Sequence, residues 1–241
     1  MKRFLIAFLI AAFVLVLALP AAAAEIKVGA TPTPHAEVLA VIVPVLAAQG
    51  ITLNIVEFTD YVQPNLALEY GDLDANYFQH IPYLNSFNEG QGTSLVSVGG
   101  VHVEPMGLYS NKIPSLDDLA NGSQLAIPND VTNGGRALLL LQSAGLITLD
   151  PAAGIAPTVF DITSNPKNLR FFELEAAQLT RSLDDVAAAV INGNYALQAG
   201  FVPTEDSLYL EGADSPYVNV VAVKIGREED PAILALVEAI Q

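Results

Sequence analysis

No cysteine and no tryptophan occur among the 241 residues, and lysine plus arginine number 10 against 26 acidic residues. Without cysteine there can be no disulfide, thiol nucleophile, thiolate metal ligand or lipid-modified N-terminal cysteine. The shortage of bases argues against nucleic acid as a partner. Counterion release at phosphates needs clustered cations, and Lys27, Lys112, Arg136 and Lys224 are scattered along the chain. Familiar catalytic spacings are also missing: there is no G-x-S-x-G, no phosphate-binding loop, no H-E-x-x-H and no G-x-G-x-x-G. No internal repeat and no Gly/Ser linker is visible.

Long apolar runs are scarce too, and the one from Phe4 to Ala24 follows a basic tip, Met1-Lys2-Arg3, and ends in Ala22-Ala23-Ala24 just before Glu25. A charged tip, an apolar stretch and small residues at a cleavage point describe a secretory signal peptide, expected over 1–24. Its removal takes two bases and no acid, moving the net charge from −16 to −18. The expectation is a mature protein free in the periplasm and, lacking cysteine, not a lipoprotein. Its length allows one large core or two lobes of roughly 100 residues each.

Hydrophobic patterning alternates short strands with helices, the order of an α/β fold. Strands are expected at Ile26–Gly29, Ile51–Phe58, Ala75–Phe78, Val96–Val103, Met106–Ser110, Leu125–Ile127, Thr158–Asp161, Leu169–Leu174 and Tyr217–Lys224. Helices are expected at Ala36–Ala48, Pro64–Tyr70, Pro82–Asn88, Gly135–Ala144 and Ser182–Ile191, with a kink or break at Pro44.

Three segments carry candidate chemistry. Thr59–Val62 and Asn76–Tyr83 place aromatic rings and His80 at strand ends, where ligands bind in open α/β sheets. Taken singly, Phe78 and Tyr83 read as core and His80 as a satisfied buried histidine. Pro128 to Leu141 opens polar and glycine-rich into an apolar helix, leaving backbone N–H groups for an anion, with Arg136 suited to grip a carboxylate. The alternative there is an ion pair with an acid such as Asp130. The third segment contains Asn192, read as a cap or turn residue, and Asn219, which interrupts an apolar strand and must find a partner for its amide.

The stretches Thr59–Asn65, Asp74–Tyr83, Val98–Gly107, Ile127–Asp130 and Gly135-Arg136 together resemble the NlpA/MetQ family of methionine-binding proteins of bacterial ABC importers. The resemblance runs from about Lys27 to the last residue. It implies two α/β lobes hinged around an interlobe cleft, the periplasmic-binding-protein fold, with lobe 1 at 25–108 plus 220–241 and lobe 2 at 109–219. It implies that Tyr61, Phe78, His80 and Tyr83 line a thioether pocket, that Arg136 holds the α-carboxylate, and that Asn194 and Asn219 take the α-ammonium. Methionine, L or D, or a close derivative is the implied ligand. A membrane permease is the implied partner, with the protein a monomer and no cofactor or catalysis involved. Family members continue past the helix that starts at Pro231, so a further C-terminal helix is expected.

Two other classes compete. A zinc-binding protein could use His35, His80 and His102, the only histidines, although no pair has helical ligand spacing. A hydrolase could pair Asp60, Asp74 or Glu104 with a histidine, although no spacing demands it.

Overall fold

The computed structural model describes residues 24–212 and 215–241, so nearly all of the expected signal peptide lies outside the described residues. The strands are β1 (Ala24–Ala30), β2 (Ile51–Glu57), β3 (Ala75–His80), β4 (Leu95–Val103), β5 (Gly107–Tyr109) and β6 (Gln124–Pro128). They continue with β7 (Thr148–Leu149), β8 (Ile162–Ser164), β9 (Arg170–Leu174), β10 (Ala188–Ile191), β11 (Tyr209–Leu210) and β12 (Val218–Lys224). The helices are α1 (Glu37–Ala48), α2 (Gln63–Tyr70), α3 (Ile81–Gln91) and α4 (Val131–Ser143), then α5 (Leu179–Ser182), α6 (Gly193–Gln198), α7 (Pro203–Asp206) and α8 (Pro231–Ile240).

These strands build two five-stranded sheets, ordered β2-β1-β3-β12-β4 and β11-β5-β10-β6-β9. In the first, β2, β1 and β3 run parallel and β12 enters antiparallel between β3 and β4. In the second, β9, β6 and β10 run parallel and β5 enters antiparallel beside β10. The two halves thus share a topology that no sequence repeat announces. In each, the antiparallel strand arrives from the other half, so the chain crosses between sheets at residues 104–106 and again between Leu210 and Val218. Strand pairing assigns Gly107 and Leu108 to the second sheet and Asn219 to the first, shifting both expected lobe boundaries by a few residues.

Each half has its own core. Ile26, Val28, Leu39, Leu46, Val221, Ile233 and Leu236 pack together between the first sheet, α1 and α8. Met106, Leu125, Ile127, Leu138, Leu141 and Val190 do the same between the second sheet and α4.

Helix α1 continues through Pro44 without a break; Pro44 is exposed along with Ala40, whose carbonyl loses its intrahelical donor but can be hydrated. Two expectations fail. Thr158–Asp161 is a capped turn of 3₁₀ helix, and the strand follows it as β8. Ser182–Ile191 is the end of α5, a turn and the strand β10, all four of whose residues are buried. An apolar run without alternation cannot by itself be assigned to helix or to a buried strand, and the alanines at 187–189 bias the reading toward helix.

Candidate functional site

All seven residues singled out from the sequence, Tyr61, Phe78, His80, Tyr83, Arg136, Asn194 and Asn219, line one cavity between the two halves. Gln79, Glu104, Asn133, Asn192 and Gly193 complete the lining. The first half supplies an aromatic wall from the segment after β2 and the β3–α3 junction. Tyr61 stands 5.8 Å from Phe78 and 5.8 Å from Tyr83, centroid to centroid. The Tyr83 hydroxyl donates to the Tyr61 carbonyl at 3.0 Å, which fixes the two rings against each other.

His80 caps α3: its Nδ1 accepts from the Tyr83 backbone N–H at 3.1 Å, so Nε2 carries the proton and donates to Asn133 Oδ1 at 3.1 Å. Burial, reinforced by the Arg136 charge, lowers its pKa to about 4, so the ring is neutral at physiological pH.

The start of α4 differs from the expected anion site. The helix begins at Val131, four residues earlier than expected, and Asp130 is its N-cap, accepting from the Asn133 N–H at 2.9 Å. The positive helix end is therefore already served by a carboxylate. Glycines 134 and 135 serve packing. A Cβ on Gly135 would lie 2.8 Å from the Ala156 Cα, and one on Gly134 would lie 2.8 Å from the Pro128 carbonyl oxygen.

Arg136 consequently sits in the second turn of α4, and its partner is neither Asp130 nor solvent. Nε donates to Glu211 Oε1 at 3.0 Å, Nη2 donates to Glu211 Oε2 and, at 2.7 Å, to the Glu104 carbonyl, and the guanidinium lies 4.2 Å over the Tyr217 ring. The fork that a ligand carboxylate was expected to occupy is filled by Glu211. Among the described residues Nη1 has no hydrogen-bond partner, and it is the donor left for the cavity.

Asn192 occupies the N-cap position of α6, but its side chain does not cap: Nδ2 donates to Asn133 Oδ1 at 2.8 Å. Asn194 Oδ1 accepts from the Tyr61 hydroxyl at 2.5 Å across the cleft. Asn192 Oδ1 and Asn194 Nδ2 are then buried without partners among the described residues. Unsatisfied polar atoms of this kind are uncommon in native proteins and, where they face a cavity, mark places that a ligand can complete.

Glu104, weighed from the sequence only as a hydrolase acid, also lines the cleft. It lies on the first crossing, its Oε1 2.9 Å from His102 Nε2 and 3.3 Å from His35 Nε2. Burial opposes its charge, but the His102 hydrogen bond and the neighbouring His35, His102 and Arg136 groups outweigh that and hold its pKa below the usual carboxylate value. Its other oxygen faces Gly193, where an added Cβ would stand 3.4 Å away. Burial lowers the pKa of His35.

The histidines do not assemble as a three-ligand shell, because both His80 nitrogens are committed to Tyr83 and Asn133. Of the three acids weighed for a histidine partner, Glu104 alone has one, whereas Asp60 accepts from the Val62 and Gln63 N–H groups ahead of α2 and Asp74 holds Lys27 N and Arg227. Asn133 and Glu211 escaped notice because their partners lie 53 and 75 residues away. A buried arginine's need for a counter-ion was a legible signal, but not which acid would meet it.

Two parallel-stranded lobes that exchange antiparallel strands and close on a cavity lined from both sides define a two-lobe substrate-binding protein. The chain belongs to the NlpA lipoprotein family, whose model matches residues 26–241. D-methionine-binding lipoprotein MetQ of Escherichia coli is 50% identical over 194 residues, covering 80% of this chain and 72% of that protein. Outer membrane lipoprotein 3 of Mannheimia haemolytica is 43% identical over 220 residues, covering 91% and 84%. Among solved structures, a nutrient-binding protein from Burkholderia cenocepacia bound to methionine matches with a TM-score of 0.87 at 50% identity, covering 90% of this chain and 91% of the other.

These findings correct the expectation about anchoring. The family is one of lipoproteins and the relatives carry that word in their names, which overturns the inference of an unanchored protein. That inference rested only on the absence of cysteine from these 241 residues.

Proposed function

We propose that the chain binds methionine in the interlobe cavity as the substrate-binding component of an ABC importer and carries it to the permease, without chemistry of its own. The observation that carries this reading is the pair of partnerless buried atoms, one acceptor and one donor, beside a charged group of each sign. An α-amino acid zwitterion presents the matching set. Its carboxylate takes Arg136 Nη1 and Asn194 Nδ2, and its ammonium takes Asn192 Oδ1, Asn219 Oδ1 and the free oxygen of Glu104. This reassigns Asn194 from the ammonium to the carboxylate, because the Tyr61 hydroxyl already donates to its oxygen.

The rest of the ligand meets Tyr61, Phe78 and Tyr83, with neutral His80 beside them. A thioether suits that wall, since sulfur near ring edges gains about 0.3–1.5 kcal/mol per contact. The likeness to a protein solved with methionine supports the same ligand. The test is mass spectrometry of the small molecule released on denaturation, followed by calorimetry on the refolded, ligand-free protein. Methionine of one or both hands should bind, and N-acetylmethionine, which lacks the ammonium, should not. Failure of methionine to bind at millimolar concentration would sink the reading.

A further inference from the structure

We propose that His35, His102 and Glu104 form a site for a zinc-class divalent cation that adjoins the amino-acid cavity and opposes its filling. Their ligating atoms all lie within 4.8 Å of one another. Both histidine Nε2 atoms converge on Glu104 Oε1, at 2.9 Å and 3.3 Å. Ligands at about 2.0–2.1 Å from a tetrahedral ion stand roughly 3.3 Å apart, so little movement is needed to admit one.

The far nitrogen of each ring is anchored to an oxygen. His35 Nδ1 lies 2.7 Å from Thr31 Oγ1 and His102 Nδ1 lies 2.6 Å from the Tyr77 phenol oxygen. Pairing of that nitrogen with an oxygen acceptor is how metal-bound histidines are oriented. In the metal-free protein the His102 Nε2–H donates to Glu104 and the His35 Nε2–H to Asn219 Oδ1. Exchange of each ring to its Nδ1–H tautomer, with the hydroxyl turned to accept, aims both Nε2 lone pairs inward; the proton lost from Nε2 is balanced by one gained at Nδ1, so none is released net. Asn219 Oδ1, 3.4 Å from His35 Nε2, can complete a four-coordinate N₂O₂ set. Imidazole ligands select zinc, cobalt, nickel or copper over magnesium and calcium. The side chain of His102 is 30% exposed and gives an ion a way in.

Glu104 and Asn219 also line the amino-acid cavity. A cation held by them takes charge density from the group we read as the ammonium's acceptor and adds positive charge beside it. The two ligands then weaken each other reciprocally. The cation site stands independently of the methionine reading; only the antagonism rests on it.

The test starts from protein stripped of ligand by unfolding and refolding. Titration with Co²⁺ should give the visible d–d bands of a tetrahedral ion at one equivalent, displaced by Zn²⁺. His102→Ala and Glu104→Gln each remove a proposed ligand and should weaken Co²⁺ binding by more than the roughly 10- to 100-fold that loss of an outer-shell partner costs, and His80→Ala should leave it unchanged. With one equivalent of Zn²⁺ bound, methionine affinity by calorimetry should fall by about tenfold or more. No tetrahedral spectrum, or one that persists in His102→Ala, would overturn the site. A filled site with methionine affinity unmoved would overturn the antagonism. Because the cobalt measurement contains no amino acid, its failure cannot be confused with failure of the methionine reading.

Discussion

Arg136 is held by the protein before any ligand arrives. Glu211 neutralises it, the Glu104 carbonyl takes a further N–H, and the Tyr217 ring covers its face. What remains is an oriented donor whose placement requires no reorganisation on binding. Arg136→Ala should cost roughly 2–5 kcal/mol of methionine binding, because it strands Glu211 as well as removing the donor. Arg136→Lys should not rescue it, since an ammonium cannot satisfy a forked acceptor and a ligand together. Calorimetry showing either variant within a factor of a few of the parent would reject this arrangement.

His80 gives a second residue-scale prediction. With a pKa of about 4 in the fold and near 6.5 unfolded, the unfolded chain binds more protons between those values. Stability from this group is complete above about pH 6.5 and is lost as pH falls toward 4, amounting to about 2 kcal/mol by pH 5. Urea unfolding of ligand-free protein at pH 7.5 and pH 5 should show that loss, and His80→Gln should reduce it. An equal loss in the variant would place the titration elsewhere.

The aromatic wall, His80 and the arginine were legible because their types are unusual at strand ends and at a glycine-rich helix start. Glu211 and Asn133 were not, since a partner's identity depends on how strands are ordered across the sheet.

At the scale of elements, the start of α4 shows how one pattern admits two causes. Gly134-Gly135 before an apolar run reads as an anion-binding loop, and in the fold it is a close approach of helix to backbone. Gly135 meets Ala156 and Pro157, neither of which can swing aside as a side-chain tip would. Gly135→Ala should therefore lower stability by about 1–3 kcal/mol through overpacking, even though alanine is the better helix former by about 1 kcal/mol. Chemical denaturation measures it, and a variant as stable as the parent would mean that the 156–157 loop yields. Strand β10 makes the converse point. Its residues, Ala188-Ala-Val-Ile191, are buried on both faces between β5 and β6, so no polar position survives to reveal a two-residue period. A tertiary environment erased the pattern from which a strand would have been read.

At the scale of the molecule, the two lobes meet through few direct bonds: Tyr61 to Asn194, Tyr195 to the Thr59 carbonyl at 3.1 Å, and His80 to Asn133. Each is neutral, and a net hydrogen bond contributes about 0.5–1.5 kcal/mol, so together they bias closure without locking it. The groups that line the cavity are divided between the lobes. Arg136, Asn192 and Asn194 ride on helices of the second lobe, Asn219 and the aromatic wall belong to the first, and Glu104 lies on the crossing. A zwitterion can satisfy all of them only when the lobes are together. Its differential affinity for the closed form must reach about 5.5 kcal/mol to carry a population from mostly open to mostly closed, which charged groups bridging two desolvated faces can supply. Closure would turn about 104–106 and about 211–212 with 215–217, the described residues that lie between the two sheets. Small-angle scattering of verified ligand-free protein should show the radius of gyration contract on adding methionine. Tyr61→Phe, which removes one interlobe bond and keeps the ring, should leave the ligand-free form more open and the methionine-bound form unchanged. If the radius of gyration does not move in a protein that demonstrably binds methionine, the lobes are already fixed in the closed arrangement, and capture must proceed without hinge closure.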